Sequence, residues 1–129
     1  MLKQGKELKP TNAELSILQV MWQRGPSTVR EVHDELSKSR EMGYTTVLKL
    51  MQIMAEKGLL DREEEARAHV YKPSQSQELA KRNLVGDLMD KAFGGSAQEL
   101  VMHALTSKKA SSEDLAAIRK LLDELESKK

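Results

Sequence analysis

The side chains best placed to do chemistry lie in residues 42–73. On a helix spanning Tyr44 to Lys57, Thr45, Lys49, Gln52 and Glu56 share a polar face, while Val47, Leu50, Met51 and Met54 recur at helical spacing on the opposite side. No carboxylate occurs in this helix before Glu56. The positive end of its dipole and its free N–H groups are therefore open to an anion such as a DNA phosphate. The segment reads as a DNA-recognition helix. A purely local cap by Thr45 or Thr46 accounts for the same opening residues equally well.

The element that follows supports the DNA reading. Gly58 is placed to end the helix in a left-handed conformation. Residues 59–63 then form an outgoing strand, residues 64–66 a polar turn, and residues 67–72 a return strand with Val70 between Ala68 and Lys72, before Pro73. A helix followed by a hairpin is the back half of a winged helix-turn-helix. The run Glu63-Glu64-Glu65 also suits a hairpin that only packs on its own domain.

Other helix starts contrast with the one at Tyr44. Thr11 with Glu14, Thr28 with Glu31, Ser96 with Glu99, and Ser111 with Asp114 have capping-box spacing, and Ser74 with Gln77 is a neutral version. The first two open helices over residues 11–23 and 29–38, separated by Gly25-Pro26. Their apolar positions are Leu15, Ile17, Leu18, Met21 and Trp22, then Val29, Val32 and Leu36. With the Tyr44 helix they make a three-helix core, in which Trp22 is a core residue and His33 a solvated one.

After Pro73 the pattern is helical throughout. Helices are expected over residues 75–93, 97–105 and 112–126, the first stopped by Gly94-Gly95. Leu88 and Met89, then Leu100, then Leu115, Ile118, Leu122 and Leu125 mark their apolar sides, the last four at the spacing of a helix-packing seam. A unit of about 54 residues with such wide seams is marginal alone. Burial against a second copy satisfies it better than a monomeric cap does. The expected organisation is mainly α with a small β wing: a winged helix-turn-helix domain over residues 1–74 and a helical dimerisation region over 75–129.

Composition sets the boundaries of function. The 129 residues carry 21 Lys and Arg against 20 Asp and Glu and contain no cysteine. Thiol nucleophiles, thiolate metal sites and disulfides are excluded. His33, His69 and His103 are too dispersed for a metal site, and Ser, His and carboxylates form no recognisable catalytic arrangement, so neither a cofactor nor an enzyme is expected. No apolar run approaches the ~20 residues of a membrane span, and the first residues lack a signal-peptide core. A cytoplasmic chain without membrane insertion is expected. Residues 1–75 hold 12 basic against 11 acidic residues, so DNA affinity must come from a local edge of Arg30, Lys38, Arg40, Lys49 and Arg67, from geometry and from dimerisation.

The order Thr11-x-x-Glu14-Leu15-x-Ile17-Leu18-x-x-x-Trp22, Thr28-Val29-x-Glu31-Val32, Tyr44-Thr45-Thr46-Val47 through Lys57-Gly58-Leu59, and Arg67-Ala68-x-x-Tyr71 resembles the penicillinase-repressor family of the BlaI/MecI type. The resemblance spans nearly the whole chain, including Gly94-Gly95 and the last helix. It implies a homodimeric winged-helix repressor of its own promoter region, relieved when a protease cuts the C-terminal region. In beta-lactam members that cut is triggered by a membrane sensor with a metalloprotease domain. The implied contacts to double-stranded operator DNA are Thr45, Thr46, Lys49 and Gln52, with Tyr44 at the helix entrance and Arg67 on the wing. Thr hydroxyls can meet phosphates or bases, Lys49 guanine or phosphate, and Gln52 adenine. The family's cleavage point aligns with the His103–Ala104 bond, where beta-lactam members have Asn-Phe. Ile53 stands where many members have Arg, and Glu65-Ala66 where a Gly is common. The cysteine cluster of copper-responsive relatives is missing here. The alternative is a winged-helix protein-interaction module that dimerises without specific DNA binding.

Overall fold

The computed structural model describes residues 9–65 and 68–128. Helix α1 (Asn12–Arg24) opens on a closed capping box: the Glu14 N–H donates to Thr11 Oγ1 at 3.2 Å, and the Thr11 N–H to Glu14 Oε1 at 3.0 Å. Helix α2 (Val29–Leu36) opens the same way on Thr28 and Glu31. It stops at Leu36, two residues short of the expected end, where the Ser37 hydroxyl donates to the His33 carbonyl at 2.8 Å and residues 37–39 turn away. Helix α3 (Tyr44–Lys57) has the expected bounds. Gly58 follows at φ 91°, its N–H donating to the Ala55 carbonyl while the Leu59 N–H reaches the Met54 carbonyl at 2.8 Å. This Schellman closure needs the left-handed conformation that glycine adopts without a Cβ penalty.

The apolar stripes meet as their spacing requires. Ile17, Leu18 and Met21 of α1, Val29, Val32 and Leu36 of α2, and Val47, Met51 and Met54 of α3 form one buried cluster with Leu59, Leu60 and Tyr71. Trp22 packs partly buried against it, its indole Nε1 buried without a described hydrogen-bond partner. The core thus lies under the face of α3 opposite Thr45 and Lys49.

Strands β1 (Leu60–Glu65) and β2 (Ala68–Pro73) pair antiparallel, from Leu60 opposite Pro73 to Glu65 opposite Ala68. The turn expected at residues 64–66 is corrected by this register. Glu64 and Glu65 belong to β1, because backbone pairing is indifferent to the acidity that suggested a loop; residues 66 and 67 lie outside the described residues. The other edge of β2 is also occupied: the Ser27 N–H donates to the Tyr71 carbonyl at 2.9 Å, and the Tyr71 N–H to the Ser27 carbonyl at 2.8 Å. Ser27, fully buried between α1 and α2, docks the wing onto the helices.

Helix α4 (Gln77–Ala92) begins two residues later than expected, and the proposed Ser74 and Gln77 box does not cap it. Ser76 Oγ accepts the Leu79 N–H at 3.1 Å instead, while the Ser74 hydroxyl donates to Asp61 Oδ1 at 3.1 Å. Gly94 and Gly95, at φ 58° and 79°, end the helix. Helices α5 (Ala97–Ser107) and α6 (Ser112–Ser127) follow. Ser111 and Asp114 close a full box, whereas Ser96 accepts the Glu99 N–H without the reciprocal bond. Contacts divide the chain into two compact units, Met1–Leu84 and Val85–Lys129.

Candidate nucleic-acid interface

Helix α3 turns one row of side chains to the core and another to solvent. Thr45, Thr46, Lys49, Gln52, Ile53 and Glu56 are all exposed, so the polar face expected from the spacing is the outer face. Ile53 adds an apolar group to it, 38% exposed, beside Lys49 and Gln52. Lys49 makes no ion pair with a described residue, and its ammonium is available to an incoming anion or base edge.

The entrance of α3 differs from the other helix starts. Its N-cap is Gly43, with no side-chain cap bond and no acid in the first turn. Among the described residues α3 is the one helix of the six without a first-turn carboxylate; the others carry Glu14, Glu31, Glu78, Glu99, or Glu113 with Asp114. Thr45 and Thr46 are therefore not caps. The leading N–H groups and the positive dipole end face solvent and attract negative charge.

Tyr44, the first residue of α3, is 39% exposed. Arg30 lies over its ring, 4.6 Å from the centroid, and the His33 ring meets it edge-on at 5.9 Å and 71°. His33 is thus not simply solvated: Nδ1 lies 3.1 Å from Asp34 Oδ1, and Nε2 3.3 Å from Ser37 Oγ. The sequence signal was present in the four-residue offset of His33 and Ser37 on one helix face, but the partner across the turn was not legible. Of the expected basic edge, Arg40 is exposed and Lys38 is paired with Glu35 at 3.2 Å. Arg67 lies outside the described residues.

The far end of α3 is anchored. Lys57 Nζ donates to Glu14 Oε1 at 2.7 Å, and that oxygen also accepts the Thr11 N–H. The Glu14 side chain is 4% exposed and the Lys57 side chain 30%, so a partly buried ion pair ties the end of α3 to the start of α1. In the sequence Glu14 is legible only as a cap residue, because the 43-residue separation hides its second role.

In the C-terminal helices the expected seam residues are accessible. Leu88, Leu122 and Leu125 are about half exposed, Met89, Leu100, Leu115 and Ile118 are partly covered, and no residue of α4, α5 or α6 is buried. His103 and Ala104 lie exposed within α5, the His103 ring 5.4 Å from that of Phe93 and its Nδ1 3.0 Å from the Glu99 carbonyl oxygen. Among the described residues no cluster of His, Cys, Asp and Glu could hold a metal ion, and no helix is long and apolar enough to cross a membrane.

Three helices on one core, a hairpin docked through Ser27 and Tyr71, and an exposed, acid-free helix entrance define a winged helix-turn-helix regulator of the DNA-binding class. The chain belongs to the penicillinase repressor family, whose model matches residues 10–124. It is 33% identical over 115 residues to the transcriptional regulator BlaI of Mycobacterium tuberculosis, covering 88% of this chain and 82% of that protein. The penicillinase repressor of Bacillus licheniformis is 24% identical over 119 residues, covering 92% and 93%. The solution structure of the DNA-binding domain of the repressor BlaI superposes with a TM-score of 0.51 at 28% identity, over 59% of this chain and 90% of that one. The expected family and fold are both borne out. The chain is a DNA-binding transcriptional repressor and not an enzyme.

Proposed function

We propose that this repressor acts as a homodimer on double-stranded operator DNA, including its own promoter region, and is released when its C-terminal region is cut. Residues 1–74 form the DNA-binding domain and 75–129 the dimerisation domain. Thr45, Thr46, Lys49 and Gln52 enter the major groove from α3, with Tyr44 meeting DNA at the helix entrance and Arg67 from the wing. The observation that carries this reading is the exposed, acid-free entrance of α3 beside Lys49, which makes no ion pair with a described residue. Two such helices in a dimer would address half-sites about one helical turn apart.

Dimerisation is supported by the C-terminal helices. Val85, Leu88, Val101, Met102, Leu121, Leu122 and Leu125 are each between 46% and 57% exposed. Exposed large apolar side chains of this kind support an association face. A second copy would cover Leu88, Met89, Leu100, Leu115, Ile118, Leu122 and Leu125. Cleavage at His103–Ala104 would cut α5 and split this face. The partner that triggers it is a membrane sensor protease, and the repressor itself acts in the cytoplasm.

Fluorescence anisotropy of the chain on its own upstream DNA, against a scrambled duplex and across salt concentrations, tests the reading. Two protomers per site and promoter binding that weakens with salt are expected. Replacing Lys49 with Ala should weaken the specific complex by about 1–3 kcal/mol while leaving the dimer intact. Equal, feeble binding to both duplexes would remove the autoregulatory reading.

A further inference from the structure

Tyr44 is exposed, yet its ring is held from two sides by one helix. Arg30 covers a face at 4.6 Å and His33 abuts an edge at 5.9 Å, both from α2 across the turn at residues 37–43. His33 is itself oriented by Asp34 and Ser37. The Asp34 carboxylate is engaged there, one turn from Arg30, and the Arg30 guanidinium makes no ion pair among the described residues; its described partner is the ring. A solvent-facing stack of this kind adds little to folding. Its effect is to restrict one aromatic side chain at the entrance of the recognition helix, so that less freedom is lost when that side chain docks.

We propose that Arg30 and His33 are positioning residues for operator binding that act through Tyr44, holding its ring so that the hydroxyl meets the phosphate backbone beside the entrance of α3. The proposal rests on the DNA-binding reading of α3. It differs from the ordinary role of a surface arginine, because a guanidinium committed to the ring acts by orientation and not by neutralising a phosphate. It also makes α2 a contributor to affinity although it inserts nothing into the groove.

A double-mutant cycle separates these roles. The full-length chain first selects duplexes from a random-sequence pool, and a recovered duplex is labelled for anisotropy with wild type, Arg30→Ala, Tyr44→Leu and the double variant. Arg30→Ala should weaken binding about two- to fivefold, the worth of an exposed cation–π contact. In the Tyr44→Leu background the same change should have no further effect, since the group it positions is gone. The slope of log affinity against log salt should be unchanged in Arg30→Ala, whereas loss of a phosphate contact lowers it by about one. Tyr44→Phe keeps the ring and the stack but not the hydroxyl, and should bind as weakly as Tyr44→Leu. Multiplying losses in the double variant, a reduced salt slope, or full affinity in Tyr44→Phe would each overturn the proposal. Failure to recover any duplex would instead remove the DNA-binding reading on which it rests.

Discussion

Replacing Lys57 with methionine should destabilise the winged domain by about 2–3 kcal/mol. The Glu14 carboxylate is 4% exposed, and one oxygen serves both Lys57 Nζ at 2.7 Å and the Thr11 N–H at 3.0 Å. Methionine keeps the aliphatic stem of Lys57 but removes the ammonium, leaving a buried anion with a single described donor. Breaking a buried pair from one side costs about 3–5 kcal/mol. The 30% exposure of Lys57 lets water reach one end, which sets the expectation at or just below the lower edge of that range. Glu14→Gln should cost less, about 1 kcal/mol, because the carboxamide still accepts from Thr11 and Lys57 can turn to solvent. Combining the two should recover part of the Lys57→Met loss, since no buried charge remains. Urea unfolding of the full chain, followed through Trp22, the single tryptophan, reports directly on this domain. Repeating it in high salt adds a second criterion, because a pair shielded from solvent is screened far less than a surface pair. A Lys57→Met effect below about 0.5 kcal/mol, the level of an exposed pair, or a double variant no more stable than Lys57→Met alone, would refute the reasoning.

Three further outcomes follow from other parts of the structure. Thr46→Asp places a carboxylate in the acid-free first turn of α3 and should raise thermal stability by about 0.3–1 kcal/mol through the helix dipole. The same variant should lose operator affinity in anisotropy, and a gain or no change there would contradict the assigned face. Gly58→Ala forces a Cβ onto a residue at φ 91° and should cost about 1 kcal/mol of stability, read as a lower urea midpoint, with DNA contacts untouched. Leu122→Lys with Leu125→Lys, at positions 54% and 52% exposed, should shift sedimentation equilibrium from dimer to monomer without lowering the midpoint reported by Trp22; an unchanged dimer would place the interface elsewhere.

Legibility in the sequence followed the range of the interactions. The bounds of α3, the Gly58 stop and three closed capping boxes depend on residues within four positions of each other, and all were readable. The core stripes were readable because helical periodicity reports burial directly, as Val47, Met51 and Met54 show. The wing turn was misplaced because acidic composition says little about where strand pairing ends. The start of α4 was misplaced because Ser74 and Ser76 are equivalent caps by type, and only the contact of Ser74 with Asp61 of β1 decides between them. The Ser27 and Tyr71 bridge, the Glu14 and Lys57 pair, and the Arg30, His33 and Tyr44 cluster join residues distant in the chain, and no local pattern announces them.

These long-range contacts give α3 two dissimilar ends. At its C-terminus the Schellman closure at Gly58 and the Glu14 pair satisfy the backbone and fix the helix to α1. At its N-terminus Gly43 offers no cap, no acid quenches the dipole, and the contacts come from α2 side chains that hold Tyr44 while leaving Thr45 and Thr46 open. A helix anchored at one end can present the other without a stabilising cap, because the marginal loss at the entrance is offset by burial of Val47, Met51 and Met54. The division implies that the two properties separate by position. Substitutions at Glu14, Lys57 or Gly58 should lower stability at constant intrinsic DNA affinity, and those at Tyr44, Thr46 or Lys49 should lower affinity without lowering stability. A variant set measured by urea unfolding and anisotropy in parallel checks this directly. Stability and affinity losses that rise together across both groups would show that α3 reaches its DNA-binding geometry only as the whole domain tightens.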